Sequence, residues 1–327
     1  MYIKSSELFL IMYVDDILIA GTSERLIDDV IALLRDSFEI KVMTRLENFV
    51  GLSVSESNDC LEIDQQKYIE KCVKRFGLET ARTAKTSMEV KLNLSKKNTK
   101  NKDLCVSKFQ QLLGALNYIT ERTRPDVNYA VNALSRRTQV ANEELYQYLL
   151  RVLRYLSGTR GAKLVYSPSP DADILDAYCD ASWVSEEDGK STTGYVIRVY
   201  GNLVHFKSRK QNLVALSTAE AEYIALSECA RDLLWIRSLL IEMMAPVESC
   251  RIHCDNQACL AIAEARGNYN RTRHVALKYH HVNDLVRKQL IKLMYVGSEM
   301  NLADFLTKAL NLDRILFSMA SLGYVDM

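Results

Sequence analysis

The sequence lacks the features that would assign it to a membrane or secreted class. No apolar run approaches the roughly 20 residues that a membrane-spanning helix needs. The apolar stretch near the start, residues 8–20, is interrupted by Asp15 and Asp16. No basic flank followed by a small-residue cleavage site marks a secretory signal. We therefore expect an intracellular protein without a membrane partner.

An excess of charge of one sign and closely paired cysteines are also missing. The 42 Lys and Arg residues balance the 41 Asp and Glu residues, and a net charge of +1 neither indicates nor excludes nucleic-acid binding. The eight cysteines are scattered and are expected to be free thiols in a reducing compartment. Cys250, His253, Cys254 and Cys259 are close in sequence, but no C-x-x-C pair accompanies them. Buried thiols are therefore favoured over a zinc site.

Proline is scarce as well, with four in 327 residues. A chain of this length suggests about two domains. The first part of the chain predicts a hairpin over 7–20, helices over 23–38 and 68–76, and a strand over 49–54. A polar, lysine-rich stretch, 90–103, predicts an exposed connector. Residues 106–156 are predicted helical, with a boundary at Pro125 and a helix over 127–136, and the S-P-S-P run at 167–170 marks the next break.

The last part of the chain alternates strands and helices. Strands are predicted at 174–179, 193–200, 203–207, 250–254 and 291–296, and helices at 218–243, 256–265, 274–289 and 302–309. Three strands, a long helix and then alternating elements favour an α/β (α+β) fold in which helices cover a mixed sheet.

Four carboxylates in this part suggest a chemical function. Asp180 ends the first predicted strand, Asp255 ends the fourth, Asp304 opens the terminal helix, and Glu222 lies in the first turns of the long helix. Carboxylates at strand ends and helix starts can converge on one patch, which hard cations would stabilise. Two Mg²⁺ ions, about 3.5–4 Å apart, are the usual arrangement for phosphodiester cleavage.

Helical phase separates Glu222 from Glu220. The apolar stripe of the long helix, Leu226, Cys229 and Leu233, extends back to Glu222, so this carboxylate should face the sheet. Glu220 lies about 200° away around the axis. It also follows Ser217 by three residues, the spacing of a capping box. We therefore expect Glu220 to be structural and Glu222 to be catalytic.

Each acid also has an ordinary structural interpretation. Asp255 could cap the following helix, Asp304 could interact with a helix dipole, and Asp180 could be a strand-end residue. Singly, these interpretations are at least as probable as a catalytic one. Their joint occurrence in this order favours a shared site.

With these residues in view, almost the whole chain resembles the C-terminal Pol region of copia-type LTR retrotransposons. In the second half, the matching segments are 177–183 (AYCDASW), 190–195 (KSTTGY), 210–211 (KQ), 217–223 (STAEAEY), 254–257 (CDNQ), 271–274 (RTRH) and 302–308 (LADFLTK). Upstream they are 13–16 (YVDD), 123–126 (TRPD) and 153–159 (LRYLSGT). Many motifs in one order form a specific signal.

The resemblance implies a ribonuclease H-like mixed five-stranded sheet with flanking helices, preceded by a partial reverse-transcriptase palm and thumb and a helical connection. The expected boundaries are 1–90 for palm and thumb, 91–170 for the connection, 171–312 for ribonuclease H and 313–327 for a C-terminal tail. It also implies that Asp180, Glu222, Asp255 and Asp304 bind two Mg²⁺ ions, with Mn²⁺ as a substitute. The expected partners are an RNA·DNA hybrid and the remainder of Pol, in a cytoplasmic virus-like particle or the nucleus.

Further residues are expected to contact nucleic acid or to assist catalysis. By resemblance and charge the contacts are Lys210, Gln211, Asn256, Arg271, Arg273 and Lys278, because phosphates need only positive charge or a donor within reach. For the arginines and Lys278, a solvated surface is comparably probable. Cellular ribonucleases H carry a histidine in the loop before the last acid, but residues 296–301 contain none. At least two of His274, His280 and His281 are expected to be surface or packing residues.

The polymerase half is expected to be incomplete. Tyr13, Asp15 and Asp16 match one strand of a palm, with Asp15 as its main metal ligand, although an acidic turn between two strands would look similar. The partner aspartate and the nucleotide-binding fingers lie upstream in related enzymes. We therefore expect this chain by itself not to polymerise DNA.

The alternative to an active nuclease is a catalytically silent remnant or a nucleic-acid-binding module, since the hybrid could be poorly held without the polymerase scaffold. Transposases and integrases share the broader fold, but their glutamate comes last. Here Glu222 comes second and Asp304 last, so that class is disfavoured.

Overall fold

The computed structural model describes residues 2–5, 7–43, 45–57, 59–90, 92, 94, 106–183, 189–243, 245–264 and 276–327. Most of the predicted connector, 90–103, and the RTRH segment at 271–274 lie outside these residues. Within the described part of the chain, no helix is both long and apolar enough to cross a membrane.

The described residues of the first part of the chain form six strands, in two groups of three, and two α-helices. Their bounds are β1 Tyr2–Ser5, β2 Leu8–Tyr13, β3 Asp16–Gly21, α1 Glu24–Ser37, β4 Asn48–Phe49, β5 Leu52–Ser57, β6 Cys60–Asp64 and α2 Gln66–Arg75. The predicted hairpin and both predicted helices are confirmed. The single strand predicted over 49–54 is wrong, because Val50 and Gly51 have positive φ angles (44° and 80°) and reverse the chain between β4 and β5.

The middle part is helical, as predicted, and ends in a strand that was not predicted. Its elements are α3 Val106–Thr120, α4 Asn128–Ser135, α5 Glu143–Gly158 and β7 Lys163–Tyr166. Helices α2 to α5 enclose an apolar core that includes Phe109, Leu116 and Leu149. Within this unit the buried Arg124 guanidinium forms a two-pronged ion pair with Asp126 (3.0 and 2.7 Å).

The last part forms the predicted mixed sheet. Its elements are β8 Leu175–Ser182, β9 Thr192–Val199, β10 Asn202–Lys210, α6 Thr218–Glu242, β11 Cys250–Cys254, α7 Gln257–Glu264, α8 Ala276–Arg287, β12 Ile291–Tyr295, α9 Leu312–Ser321 and β13 Tyr324–Val325. The strand order is β10-β9-β8-β11-β12, with the first three strands antiparallel and β8, β11 and β12 parallel. This is the five-stranded arrangement with flanking helices that the resemblance implied.

The two faces of the mixed sheet are covered differently. Because side chains alternate along a strand, Ala177 and Cys179 of β8 face a core formed with α6, including Leu226 and Leu233. On the opposite face, Val196 packs against the segment that runs from Leu302 to Tyr324. The end of the central strand β8 therefore lies between α6 on one face of the sheet and the segment from Leu302 to Tyr324 on the other.

A second five-stranded sheet joins distant parts of the chain. Its order is β13-β7-β6-β5-β4, and every neighbouring pair is antiparallel. Tyr324 of β13 pairs with Leu164 of β7, and the Tyr324 hydroxyl donates to the Thr123 carbonyl at 2.7 Å. Residues 313–327, for which only a tail was expected, thus include most of α9 and all of β13.

Candidate active site

Asp180 lies near the end of the central strand β8, where both neighbouring strands are close. Its side chain is buried and accepts a hydrogen bond from the Thr307 hydroxyl. Thr307 approaches this closely because Gly194, opposite Asp180 on β9, has no side chain. A Cβ atom at Gly194 would lie 2.6 Å from Thr307 Cγ2. Glycine at this position therefore lets the segment that carries Asp304 rest against the sheet.

Glu222 enters the site from α6, as the helical phase predicted. The side chain is buried, and the Ala181 amide donates a hydrogen bond to it. Its Oε2 atom is buried without a hydrogen-bond partner among the described residues. An unsatisfied buried carboxylate oxygen is unusual, so this atom is available to a ligand that the described residues do not supply.

Glu220 has the capping role predicted for it. The Ser217 hydroxyl accepts from the Glu220 amide at 3.2 Å, and a Glu220 carboxylate oxygen accepts from the Leu216 amide at 2.8 Å. The return bond reaches the residue before the cap, one position earlier than in the usual capping box. Both bonds fix the start of α6 and hence the position of Glu222.

Asp255 directly follows β11, and its neighbours place it beside Glu222. One ligand atom each of Glu222, Cys254 and Asp255 lie within 4.8 Å of one another. The Ser298 hydroxyl hydrogen-bonds to the Asp255 carboxylate. The next residue, Asn256, caps α7 by accepting from the Cys259 amide at 2.9 Å, so the capping role considered for Asp255 belongs to Asn256.

Asp304 opens a helical turn, but the α-helix predicted over 302–309 is wrong. The chain forms a single 3₁₀ turn, Asp304–Leu306, which is held against β8 and β9, and the last α-helix starts only at Leu312. The Asp304 carboxylate forms an ion pair with Lys308 and lies 3.7 Å from the Arg314 guanidinium. Thr307, Lys308 and Ser298 were not singled out from the sequence, although two of them follow Asp304 at the spacing of one helical turn.

Three of the acids, Asp180, Glu222 and Asp255, have a raised pKa, and for each of them another acid of the set contributes to the shift. Burial, and after it the nearby Asp304, raises the pKa of Asp180 to about 7. Burial and the Asp180 carboxylate raise the pKa of Glu222 to about 10. Burial also raises the pKa of Asp255, to which Asp304 contributes. Such crowding of like charges disfavours ionisation of the carboxyls unless a cation is present.

The residues of the YVDD motif lie at the tip of a separate, exposed hairpin. Tyr13 pairs with Asp16 across the turn, and Val14 has a φ of 54°, an outlying value for a β-branched residue. Tyr13, Asp15 and Asp16 are all exposed. The hairpin predicted from the sequence is therefore present, with Asp15 in the two-residue turn.

The residues predicted to contact nucleic acid differ in their burial, and some of them lie outside the described residues. Lys210 is half-buried at the end of β10. Gln211 is 2% exposed, and its amide donates to the Thr193 hydroxyl and the Ala221 carbonyl, so this side chain joins the sheet to α6. Asn256 is half-buried at the start of α7. Arg271 and Arg273 lie outside the described residues, as does the side chain of Lys278.

His253 lies apart from the three cysteines that are close to it in the sequence. His253 stacks on Tyr178 (ring centroids 4.4 Å apart), on the sheet face opposite the core that contains Cys250, Cys254 and Cys259. These three cysteines are fully buried, as expected for buried thiols. His281 is exposed, whereas His274 and the His280 side chain lie outside the described part of the chain.

Comparisons with known proteins identify relatives along the whole chain. The family described as "Reverse transcriptase (RNA-dependent DNA polymerase)" matches residues 1–90. The retrovirus-related Pol polyprotein from transposon TNT 1-94 of Nicotiana tabacum is 31% identical over 93% of this chain and 23% of its own length. The Pol polyprotein from transposon RE1 of Arabidopsis thaliana is 32% identical over 94% and 21%. This chain therefore spans less than a quarter of these polyproteins.

A shorter relative is matched over nearly its full length, and solved structures show distant likenesses. An uncharacterized mitochondrial protein of Arabidopsis thaliana is 32% identical over 70% of this chain and 94% of its own. LC11-RNase H1 in complex with an RNA/DNA hybrid has a TM-score of 0.32 at 19% identity, covering 41% of this chain and 93% of that one. The foamy viral protease-reverse transcriptase with dsDNA has a TM-score of 0.49 at 13% identity, covering 88% and 55%. From its sequence relatives, this chain belongs to the copia-type retrotransposon Pol family.

Proposed function

We propose that the chain is a Pol segment whose ribonuclease H unit hydrolyses the RNA strand of RNA·DNA hybrids. The observation that carries the proposal is the convergence of Asp180, Glu222, Asp255 and Asp304 at the end of the central strand. Burial and the neighbouring acids raise the pKa of Asp180, Glu222 and Asp255, and Glu222 presents a buried oxygen without a partner among the described residues. Titratable groups perturbed in this way are concentrated at functional sites.

The donor set fits hard divalent cations. The four acids offer carboxylate oxygens, the ligands that Mg²⁺ and Mn²⁺ prefer, and they would hold two such ions. When bound, the two ions would activate the attacking water and stabilise the leaving 3′ oxygen. The unpartnered Oε2 of Glu222 is the atom in the site that most clearly needs such a ligand.

The neighbouring side chains position the acids. Thr307 donates to Asp180 and Ser298 to Asp255, so each hydroxyl orients one carboxylate. Lys308 neutralises Asp304 and is half-exposed, within reach of a phosphate. Lys210 and Asn256 remain proposed contacts to the nucleic acid, together with Arg271, Arg273 and Lys278. Gln211 is proposed to act on the site only through the packing of β10 against α6.

Polymerisation is proposed only for the complete polyprotein, the remainder of which is the proposed partner of this chain. The exposed hairpin supports this view, because Met12, Tyr13 and Val14 are 55%, 53% and 80% exposed. Several large apolar side chains exposed next to one another are typical of an interaction surface, and we propose that another part of Pol covers this one. The proposed place of action is a cytoplasmic virus-like particle or the nucleus.

The test is cleavage of a labelled RNA·DNA hybrid by the purified chain with Mg²⁺, Mn²⁺ or EDTA. We expect metal-dependent loss of the RNA strand and little action on a DNA duplex or on single-stranded RNA. Asp255→Asn should reduce the rate by about 100-fold or more, since it removes a ligand from the metal site. Asp171→Asn, at an exposed turn on the same domain, should retain the wild-type rate. A folded, monodisperse protein that cleaves no hybrid under these conditions would favour a silent remnant or binding module.

A further inference from the structure

The carboxylate cluster includes the sulfur atom of Cys254. This atom has no role in the proposed hydrolysis, in which the cations are bound by oxygen. Cys254 ends β11 beside Asp255, and its thiol lies within 4.8 Å of carboxylate oxygens of Glu222 and Asp255. The cysteine is completely buried and Glu222 nearly so. A thiol this close to two of the proposed metal ligands has a chemical consequence, because sulfur and oxygen ligands select different cations.

The surroundings of Cys254 stabilise a metal-bound sulfur. The Asn256 amide points at its Sγ atom at 3.5 Å, and the thiols of Cys179 and Cys259 hydrogen-bond to it. Donors of this kind orient a thiolate ligand and disperse its charge. No disulfide forms among these residues, all of which are free thiols.

The second, independent observation is the unsatisfied oxygen of Glu222. Its Oε2 atom is buried and lacks a hydrogen-bond partner among the described residues, and Glu222 belongs to the same three-ligand group. One sulfur and two carboxylates would supply three of the four ligands that Zn²⁺ usually takes in proteins. Zn²⁺ and Cd²⁺ accept such a mixed set, whereas Mg²⁺ requires oxygen.

We propose that Glu222, Cys254 and Asp255 form a binding site for one thiophilic divalent cation, Zn²⁺ or Cd²⁺, inside the carboxylate cluster. On binding, the Cys254 S–H bond and the O–H bond of each protonated carboxyl break, sulfur–metal and oxygen–metal bonds form, and the protons leave to solvent, so no oxidant is involved. The cation takes two of the four acids from Mg²⁺. Inhibition of hybrid cleavage follows from this competition and rests on the proposed function, whereas the binding itself does not.

The experiment is a titration of the reduced, full-length chain with Cd²⁺, following the ultraviolet thiolate-to-cadmium charge-transfer band. The wild type should give one tight equivalent. Cys254→Ser should abolish that equivalent, and Glu222→Gln should weaken it by roughly tenfold or more. Cys250→Ser is the matched control, because Cys250 is equally buried on the same strand but away from the acids. Circular dichroism of each variant checks that it folds.

The outcomes distinguish cation binding at this site from binding at other thiols, and they distinguish cation binding from nuclease activity. An equivalent that survives Cys254→Ser overturns the proposal, and so does one that Glu222→Gln and Asp255→Asn both leave unchanged. Excess Mg²⁺ should weaken Cd²⁺ binding to the wild type, and the absence of any competition would also contradict a shared site. If Cd²⁺ binds as described while the chain cleaves no hybrid, the proposed function fails and this site stands.

Discussion

The buried carboxyl of Asp180 should destabilise the metal-free protein as the pH rises. Its pKa is about 7 in the folded chain against an ordinary value of 3.8. A carboxyl with a raised pKa contributes its full stability below about pH 4, and this contribution is lost as the pH rises through 7. The difference of about three pKa units corresponds to about 4 kcal/mol. Asp180→Asn cannot ionise and retains an oxygen for the Thr307 hydrogen bond, so in EDTA at pH 8 it should be more stable than the wild type by a few kcal/mol.

The assay is urea unfolding, followed by circular dichroism at pH 5 and pH 8, with EDTA and with Mg²⁺. The wild type in EDTA should lose stability between the two pH values and recover it with Mg²⁺ at pH 8, whereas Asp180→Asn should change less in both comparisons. Asp171→Asn, which changes an exposed acid in the turn before β8, should follow the wild type. If Asp180→Asn is no more stable than the wild type in EDTA at pH 8, the account of the site as crowded, buried carboxyls is refuted.

Two further predictions concern the scaffold around the site. Arg124→Met leaves a buried carboxylate unpaired and should lower the free energy of unfolding by about 3–5 kcal/mol in urea. Arg160→Met, at an exposed ion pair, should change it by less than about 1 kcal/mol, and equal losses would contradict the burial argument. Gly194→Ala should reduce hybrid cleavage by up to about 100-fold, because its Cβ would collide with Thr307 and displace the last acid. Gly161→Ala, where a Cβ meets open space, should retain activity, and full activity of the first variant would refute the displacement.

Local sequence patterns predicted most elements of the mixed sheet and the orientation of Glu222. The apolar stripe of α6 keeps the same phase over several turns. The position of Glu222 in that phase predicted that it faces the sheet, and the spacing of Glu220 from Ser217 predicted that it caps the helix. The capping role of Ser217 followed from spacing alone. These features depend on residues within one or two helical turns, which the sequence displays directly.

The elements that were missed depend on distant partners. The two residues of β13 form a strand only because β7 lies beside them, and β7 itself has four residues. The turn between β4 and β5 requires a positive φ at Val50, a conformation that no sequence rule assigns to valine. The 3₁₀ turn that carries the last acid lies close to β9 because Gly194 has no side chain, which cannot be read from the segment itself.

The pairing of β13 with β7 also sets an order for events during synthesis. Strands β6 and β7 can pair once residue 166 has left the ribosome, but the outer edge of β7 stays open until Tyr324 emerges. An open strand edge is a template for pairing with other chains, so the nascent protein carries this exposed edge through translation of the entire mixed sheet and its helices. For the same reason, a protease that cuts between β7 and β8 would leave the closing strand on one fragment and the edge that it covers on the other.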